Sequence, residues 1–209
     1  MDFFDFHHHD FARKHGVYNA EYGEMPIDGF FSSGIHPNKI GNQIENYFLW
    51  LKEVAPAKNC VAIGECGLDG LIKIDEKLQE EVFAKQIDYA NEIRKPIIIH
   101  CVRRFSRLNY FKKKAKVPMI VHGFNKKKTI GSDLQKNDFS LSFGKSILYD
   151  VNLQNFFKEF PLDKIFLETD SADFNLEELY EKAASIKEMK LNDFVLKINE
   201  NIQNLKIPL

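Results

Sequence analysis

The sequence predicts an α/β fold built on parallel strands, and three observations carry that prediction. Short continuous apolar runs, rich in β-branched and aromatic residues, recur along the 209 residues. Longer amphipathic stretches separate them, as strand–helix–strand crossovers require. Side chains able to hold a metal stand just past the ends of the runs, where the loops of a parallel barrel converge.

The apolar runs cover residues 3–6, 29–35, 60–63, 96–99, 118–121, 139–143 and 165–167, with 17–22 a weaker eighth. Most are unbroken rather than alternating, which suits strands covered on both faces. Between and after them, helices are predicted over 42–54, 76–94, 105–114, 129–136, 153–160, 176–186 and 192–205. The stretch after Cys101 shows the pattern. Phe105, Leu108 and Phe111 recur at three-residue spacing for burial, while Arg103, Arg104 and Arg107 share a polar surface. A (β/α)8 barrel takes about 250 residues, with about 200 as the lower limit, so a trimmed barrel is expected. Without a repeat, a low-complexity tract or a Pro/Gly/Ser linker, one domain over residues 1–209 is expected.

An apolar content of 44% with 28% charged residues excludes a disordered or fibrous chain. No apolar stretch approaches the ~20 residues of a membrane-spanning helix. Asp2 and Asp5 stand where a signal peptide carries lysines, and Cys60, Cys66 and Cys101 are too few for a disulfide framework. A cytoplasmic protein is expected, with no membrane partner and no obligate protein partner. Net charge is −1, yet the stretch from Arg94 to Lys128 holds 12 Lys and Arg and no Asp or Glu. Such asymmetry marks either a surface for an anionic partner or solvated helix faces.

The strand ends carry the chemistry. His7, His8 and His9 follow the first run, His36 the second, Glu65 the third, His100 the fourth and His122 the fifth; Glu168 and Asp170 follow the last. Residues two apart on a strand share a face, so His7 and His9 point inward together while His8 points away. Glycines flank Glu65 in Ile63-Gly64-Glu65-Cys66-Gly67 and allow close backbone packing. A buried Asp170 needs a metal or a cationic partner. Four imidazoles and two carboxylates divide into a two-ion centre: His7, His9 and Asp170 on one ion, His100 and His122 on the other, Glu65 bridging. Zinc, manganese or nickel suits this mixed donor set, with magnesium less expected. Such centres make water a nucleophile near neutrality, so hydrolysis is the expected reaction, with Glu65 and Asp170 as the catalytic carboxylates. Cys66 and Cys101 neighbour these ligands, but nothing in the sequence activates either thiol. Ser171 lacks a nucleophile-elbow pattern, and no Gly-rich phosphate loop is present.

The order of these segments resembles the TatD family of metal-dependent hydrolases. The resemblance rests on Asp5-x-His7-x-His9, Gly34-Ile35-His36-Pro37, Gly64-Glu65-Cys66-Gly67-Leu68-Asp69, Ile99-His100, His122-Gly123-Phe124 and Leu167-Glu168-Thr169-Asp170, with Gln79, Phe83, Gln86 and Ala90 on a helix between. It implies a distorted TIM barrel of the metallo-dependent hydrolase superfamily and deoxyribonuclease activity, often 3′-to-5′ exonucleolytic. The family's ligand set falls on His7, His9, Glu65, His100, His122 and Asp170. His36 matches a position near the site but outside the usual ligands, and a substrate contact is expected of it. Three departures mark a short subgroup. Only 26 residues separate His9 from His36, Ser171-Ala172-Asp173 replaces a proline- and arginine-bearing loop, and Val102 stands where the family has arginine, with Arg103 next.

The expected activity is therefore metal-dependent hydrolysis of phosphodiesters, with DNA as the substrate partner and Arg103, Lys126 and Lys127 as phosphate contacts. Two other readings stay open at this point. One is an amidohydrolase or phosphoesterase for a small molecule, since one centre supports both cleavages. The other is a metal-binding protein without turnover.

Overall fold

The computed structural model of the chain describes residues 2–209. Eight parallel strands follow one another in chain order: β1 (Asp5–His8), β2 (Gly16–Ala20), β3 (Phe30–Ser33), β4 (Cys60–Asp69), β5 (Ile97–Val102), β6 (Met119–Val121), β7 (Ser140–Phe143) and β8 (Ile165–Leu167). A parallel bridge from His8 to Asp170 brings β1 back to the end of β8, so the sheet curls nearly shut. Helices α1 (Ile44–Val54), α2 (Glu76–Ile93), α3 (Phe105–Lys112), α4 (Lys128–Lys136), α5 (Val151–Glu159), α6 (Leu176–Ile186) and α7 (Leu191–Asn204) follow the strands as the chain proceeds. This is a trimmed TIM-like barrel, as the sequence predicts. None of the described helices is long and apolar enough to cross a membrane.

Several strands depart from expectation, β1 and β5 running on to take in His7 and His100, and two further departures matter for the site. The weak eighth candidate is a full strand: β2 pairs with β3 residue for residue, from Val17 with Phe30 to Ala20 with Ser33. The run expected over 60–63 continues to Asp69, so Glu65 stands inside β4 rather than after it. Apolar runs end where glycine and charge begin, whereas the backbone ladder continues through both.

Bulges then aim the side chains. Between Ile63 and Cys66, β4 advances three residues while β5 advances two; between Asp5 and His8, β1 gains one residue on β2 in the same way. An extra residue bends a strand and redirects its side chains, which is why bulges gather near active sites. Glu65 and His7 lie within these two irregularities.

Packing fixes the mouth of the barrel from outside. The α2 N-cap Asp75 accepts from Leu78 N–H, and the helix then buries Gln79 and Gln86 against the sheet. Gln79 accepts from Asp69 N–H at 2.8 Å and donates to Asp69 O at 3.1 Å. Gln86 treats Ile35 in the same way, at 2.7 and 3.1 Å. Two buried amides thus satisfy four backbone groups at the C-terminal ends of β3 and β4, which would be costly to leave unpaired. On the far side, Phe124, Phe143, Phe156, Phe157 and Phe160 form a fully enclosed aromatic layer between the sheet and α5.

Candidate metal centre

Closure of the barrel holds the first three donors together. Asp170 N–H donates to His7 O at 2.9 Å, and His9 N–H donates to Asp170 O at 3.3 Å. Beneath them, Thr169 donates to the buried Asp5 carboxylate through both its backbone N–H and its hydroxyl, at 2.9 and 2.6 Å, and Arg13 pairs with Asp5 at 2.9 Å. The chain ends that meet at the β1–β8 seam are therefore locked in register. His7 and His9 face inward, with ring centroids 5.2 Å apart. His8 faces Tyr18 on the outer side of the strand, and burial drops its pKa to about 4.

Glu65 lies at the centre, and its two oxygens face different imidazoles. Oε2 is 3.6 Å from His7 Nε2 and 3.8 Å from His9 Nε2. Oε1 is 2.7 Å from His100 Nδ1, 2.8 Å from His122 Nε2 and 3.5 Å from His36 Nε2. Asp170 Oδ1 completes the first group at 3.4 Å from His9 Nε2 and 4.0 Å from His7 Nε2. The backbone glycines allow this convergence. A Cβ at Gly67 would meet His100 O at 2.0 Å, and one at Gly64 would meet Ile98 O at 2.6 Å.

The donor set fits divalent metal. His7 is fully buried, yet neither of its ring nitrogens has a hydrogen-bond partner among the described residues. Its Nε2 stands 3.6 Å from Glu65 Oε2 and 4.0 Å from Asp170 Oδ1, too far for hydrogen bonds. These separations are close to the ~3.4 Å spacing of two donors that each sit ~2.1 Å from one tetrahedral cation. His7, His9 and Asp170 make one such cluster; His36, Glu65 and His100 make another, and Glu65 and His122 join His7 between them.

The electrostatics agree with a site made for positive charge. Burial alone would raise the Glu65 carboxyl, but His122, His100 and His36 outweigh it and hold the group well below the usual carboxylate range. Asp170 behaves alike: burial raises it, and His9, His122 and His7 bring it down. The Asp170 carboxylate lifts His9 against the effect of burial.

All six residues expected as ligands meet at this one mouth. His36, expected at the substrate, stands among the donors themselves, with its Nδ1 accepting from Asn38 N–H at 3.1 Å. Arg103 and Lys127 are exposed and Lys126 half-buried on the loops after β5 and β6. Cys66 and Cys101 are buried, and burial pushes both thiols up, Cys101 to about 12. Neither is a nucleophile at neutral pH.

Three residues support the donors, and two of them, Asp69 and Asn19, escape the strand-end pattern. Asp69 Oδ2 sits 3.3 Å from His100 Nε2 and orients that ring, while buried Glu168, whose Oε1 accepts from Gly123 N–H at 2.5 Å, lies 3.4 Å from His122 Nδ1 as a nearby negative charge. Asn19 Oδ1 accepts from Glu65 N–H at 2.8 Å. Period-two alternation from Glu65 reaches Asp69 and could have flagged it. Asn19 lies on the strand that the sequence marks only weakly.

Similarity to known proteins follows the same outline. The family model described as "TatD related DNase" matches residues 14–205, so β1 with its two histidines lies ahead of the matched span. The metal-dependent hydrolase YabD of Bacillus subtilis is 33% identical over 143 residues, covering 66% of this chain and 56% of the relative. A 3'-5' ssDNA/RNA exonuclease TatD of a Rahnella species is 28% identical, covering 71% of this chain and 59% of the relative. The chain thus spans little more than half the length of these curated relatives. In structure, the TatD homologue YJJV of Escherichia coli superposes with a TM-score of 0.80 at 18% identity, covering 99% of this chain and 98% of that one. With the family matched over nearly its whole length, the chain belongs to the TatD-related family of metal-dependent hydrolases.

Proposed function

We propose that the chain is a two-metal phosphodiesterase that shortens single-stranded DNA from an end. The observation that carries this reading is the division of Glu65, with Oε2 turned to His7 and His9 and Oε1 to His100 and His122. On this reading His7, His9 and Asp170 would hold one ion and His100 and His122 the second, with Glu65 a ligand to both and His36 beside them. Two divalent ions of the zinc, manganese, nickel or magnesium kind supply Lewis acidity and a water made nucleophilic near neutrality. Asp170, its side chain 40% exposed at the mouth and its carboxyl held ionised, takes the proton of the attacking water.

Nucleic acid is favoured over a small ester by how the basic segment is used. Arg104 and Arg107 are spent on Glu76 and Glu80, Lys112 on Asp138, and Lys128 on Glu159. Arg103, Lys126 and Lys127 make no ion pair among the described residues and follow the strands that carry His100 and His122. They are the phosphate contacts of this reading. The relative named as an ssDNA/RNA exonuclease supports the same substrate class.

A 5′- or 3′-labelled single-stranded oligonucleotide, incubated with and without chelator, tests the proposal. A metal-dependent ladder of products shortened from one end is expected. Binding to the uncleaved strand should weaken with salt at a log–log slope of roughly −1.5 to −3 for two to four phosphate contacts. Replacing Arg103, Lys126 and Lys127 together should flatten that slope. Cleavage that survives chelation overturns the metal mechanism; turnover of p-nitrophenyl esters with intact oligonucleotide overturns the nuclease.

A further inference from the structure

A cavity of about 230 Å³ opens beside the centre, between the ends of β2 and β3, the Pro37–Lys39 turn and α1. Its inner end is His9, His36 and Glu65; its outer wall includes Asn19, Tyr22, Lys39 and Tyr47. The volume lies below the ~300–1,000 Å³ of pockets for drug-sized ligands, and suits one nucleotide rather than a length of chain.

The wall is aromatic and held in place. Tyr22 stacks on Tyr47 with ring centroids 4.2 Å apart and 30° between planes, and meets Trp50 edge-on at 5.9 Å. Glu24 fastens the loop that carries Tyr22. Its carboxylate accepts from Tyr18 OH at 2.9 Å and Glu21 N–H at 2.8 Å, and its carbonyl accepts from Trp50 Nε1–H at 2.9 Å. One face of Tyr22 is therefore taken by Tyr47, yet 45% of the residue stays exposed. Asn19 Oδ1 is occupied by Glu65 N–H and the Ser32 hydroxyl, which leaves its NH2 group as a donor. Lys39 is exposed and has no ion-pair partner among the described residues. One small cavity thus presents a rigid π-face, an amide donor and a cation, and ends on the metal-holding carboxylate. A nucleotide carries the matching groups, since every base has a π-face and each phosphate an anion.

We infer that this cavity receives the terminal nucleotide of a single strand, its base against the free face of Tyr22. The scissile phosphate then lies over Glu65, and the strand leaves towards Lys126 and Lys127. The inference rests on the phosphodiesterase reading above, but its test does not depend on turnover. Trp50 is the sole tryptophan and touches Tyr22, so its fluorescence reports on the wall. The full chain is titrated in magnesium with a deoxynucleoside 5′-monophosphate and with 2-deoxyribose 5-phosphate, the same anion without a base. Calorimetry replaces fluorescence for Tyr22 variants, which alter the reporter. The nucleotide should bind roughly 5- to 150-fold more tightly, the scale of one base–aromatic stack. Tyr22→Ala should remove the difference and Tyr22→Phe should keep it. Equal affinities in the wild type, or a preference untouched by Tyr22→Ala, overturns the pocket. Base-selective binding without any cleavage of oligonucleotides overturns the nuclease and leaves the pocket standing.

Discussion

At the floor of the barrel, where the strands begin, Lys95 turns its ammonium onto the carbonyls of Ala55, Ala57 and Cys60. Lys187 reaches the carbonyls of Lys158 and Phe160, just ahead of β8. At the mouth, where the strands end, His7 is fully buried and neither ring nitrogen has a partner among the described residues. His122 Nδ1 and Glu168 Oε2 are also left without one. Both ends bury polar groups, which is costly unless they are satisfied. The floor meets its two buried ammonium groups with carbonyls of the chain's own backbone. The mouth leaves several open, and a donor set left open in the fold marks where an outside cation is to be held.

The largest break in that contrast comes from Glu65→Ala. It removes the one carboxylate that faces both imidazole groups, so on the proposed two-ion reading both ions should be lost and hydrolysis should fall at least ~10²-fold, the scale of losing one electrostatic stabiliser. His7→Ala should cost mainly one ion. Elemental analysis of the two purified variants separates the cases, and near-stoichiometric metal in Glu65→Ala would sink the bridge. Asp69→Asn acts one step further out. It keeps the shape but weakens the acceptor 3.3 Å from His100 Nε2, and metal affinity should drop about 10- to 100-fold with the fold intact.

At the floor the signs reverse. Lys95→Met leaves three carbonyls without their shared donor and should cost about 2–3 kcal/mol of stability. Metal content and activity per folded molecule should stay at wild-type levels. A denaturant titration beside a metal assay checks both halves, and a variant that loses metal before it loses stability would erase the distinction between the two ends.

Much of the mouth is legible in the sequence, because a parallel barrel places its loop chemistry at one rim and the strand-end pattern of histidines and acids depends on nothing else. His7, His9, Glu65, His100, His122 and Asp170 are found that way. What stays hidden is whatever depends on register and on non-local packing. β2 is short, carries Tyr18 and Asn19, and reads weakly as a strand, so Asn19 and the cavity beside it are invisible without the β2–β3 pairing. His36 reads as a neighbour of the site, and only the curl of the sheet brings its ring to 4.3 Å from His100. The floor lysines give no signal at all, since their partners are backbone carbonyls far away in sequence.

The smallest effect is also the one that tests the floor through pH. Lys187 is half-buried, and burial lowers its pKa from the ordinary 10.5 to about 8 despite two carbonyl acceptors and the Phe157 ring 5.2 Å away. The folded chain therefore holds fewer protons at this site than the unfolded chain between pH 8 and 10.5. Stability must rise with pH wherever the unfolded state binds more protons, so this lysine is a penalty at neutral pH that is relieved on the alkaline side. Lys187→Met has no proton to lose and should lack that rise. Unfolding free energies of both proteins at about pH 7 and about pH 10 should diverge by on the order of 1 kcal/mol in favour of the wild type, reduced from the full linkage because solvent reaches the site. Taking the difference cancels every other lysine and tyrosine that titrates in the range. Parallel curves would mean that the two carbonyls already offset the burial of the charge, and the floor would then be satisfied even more completely than its geometry requires.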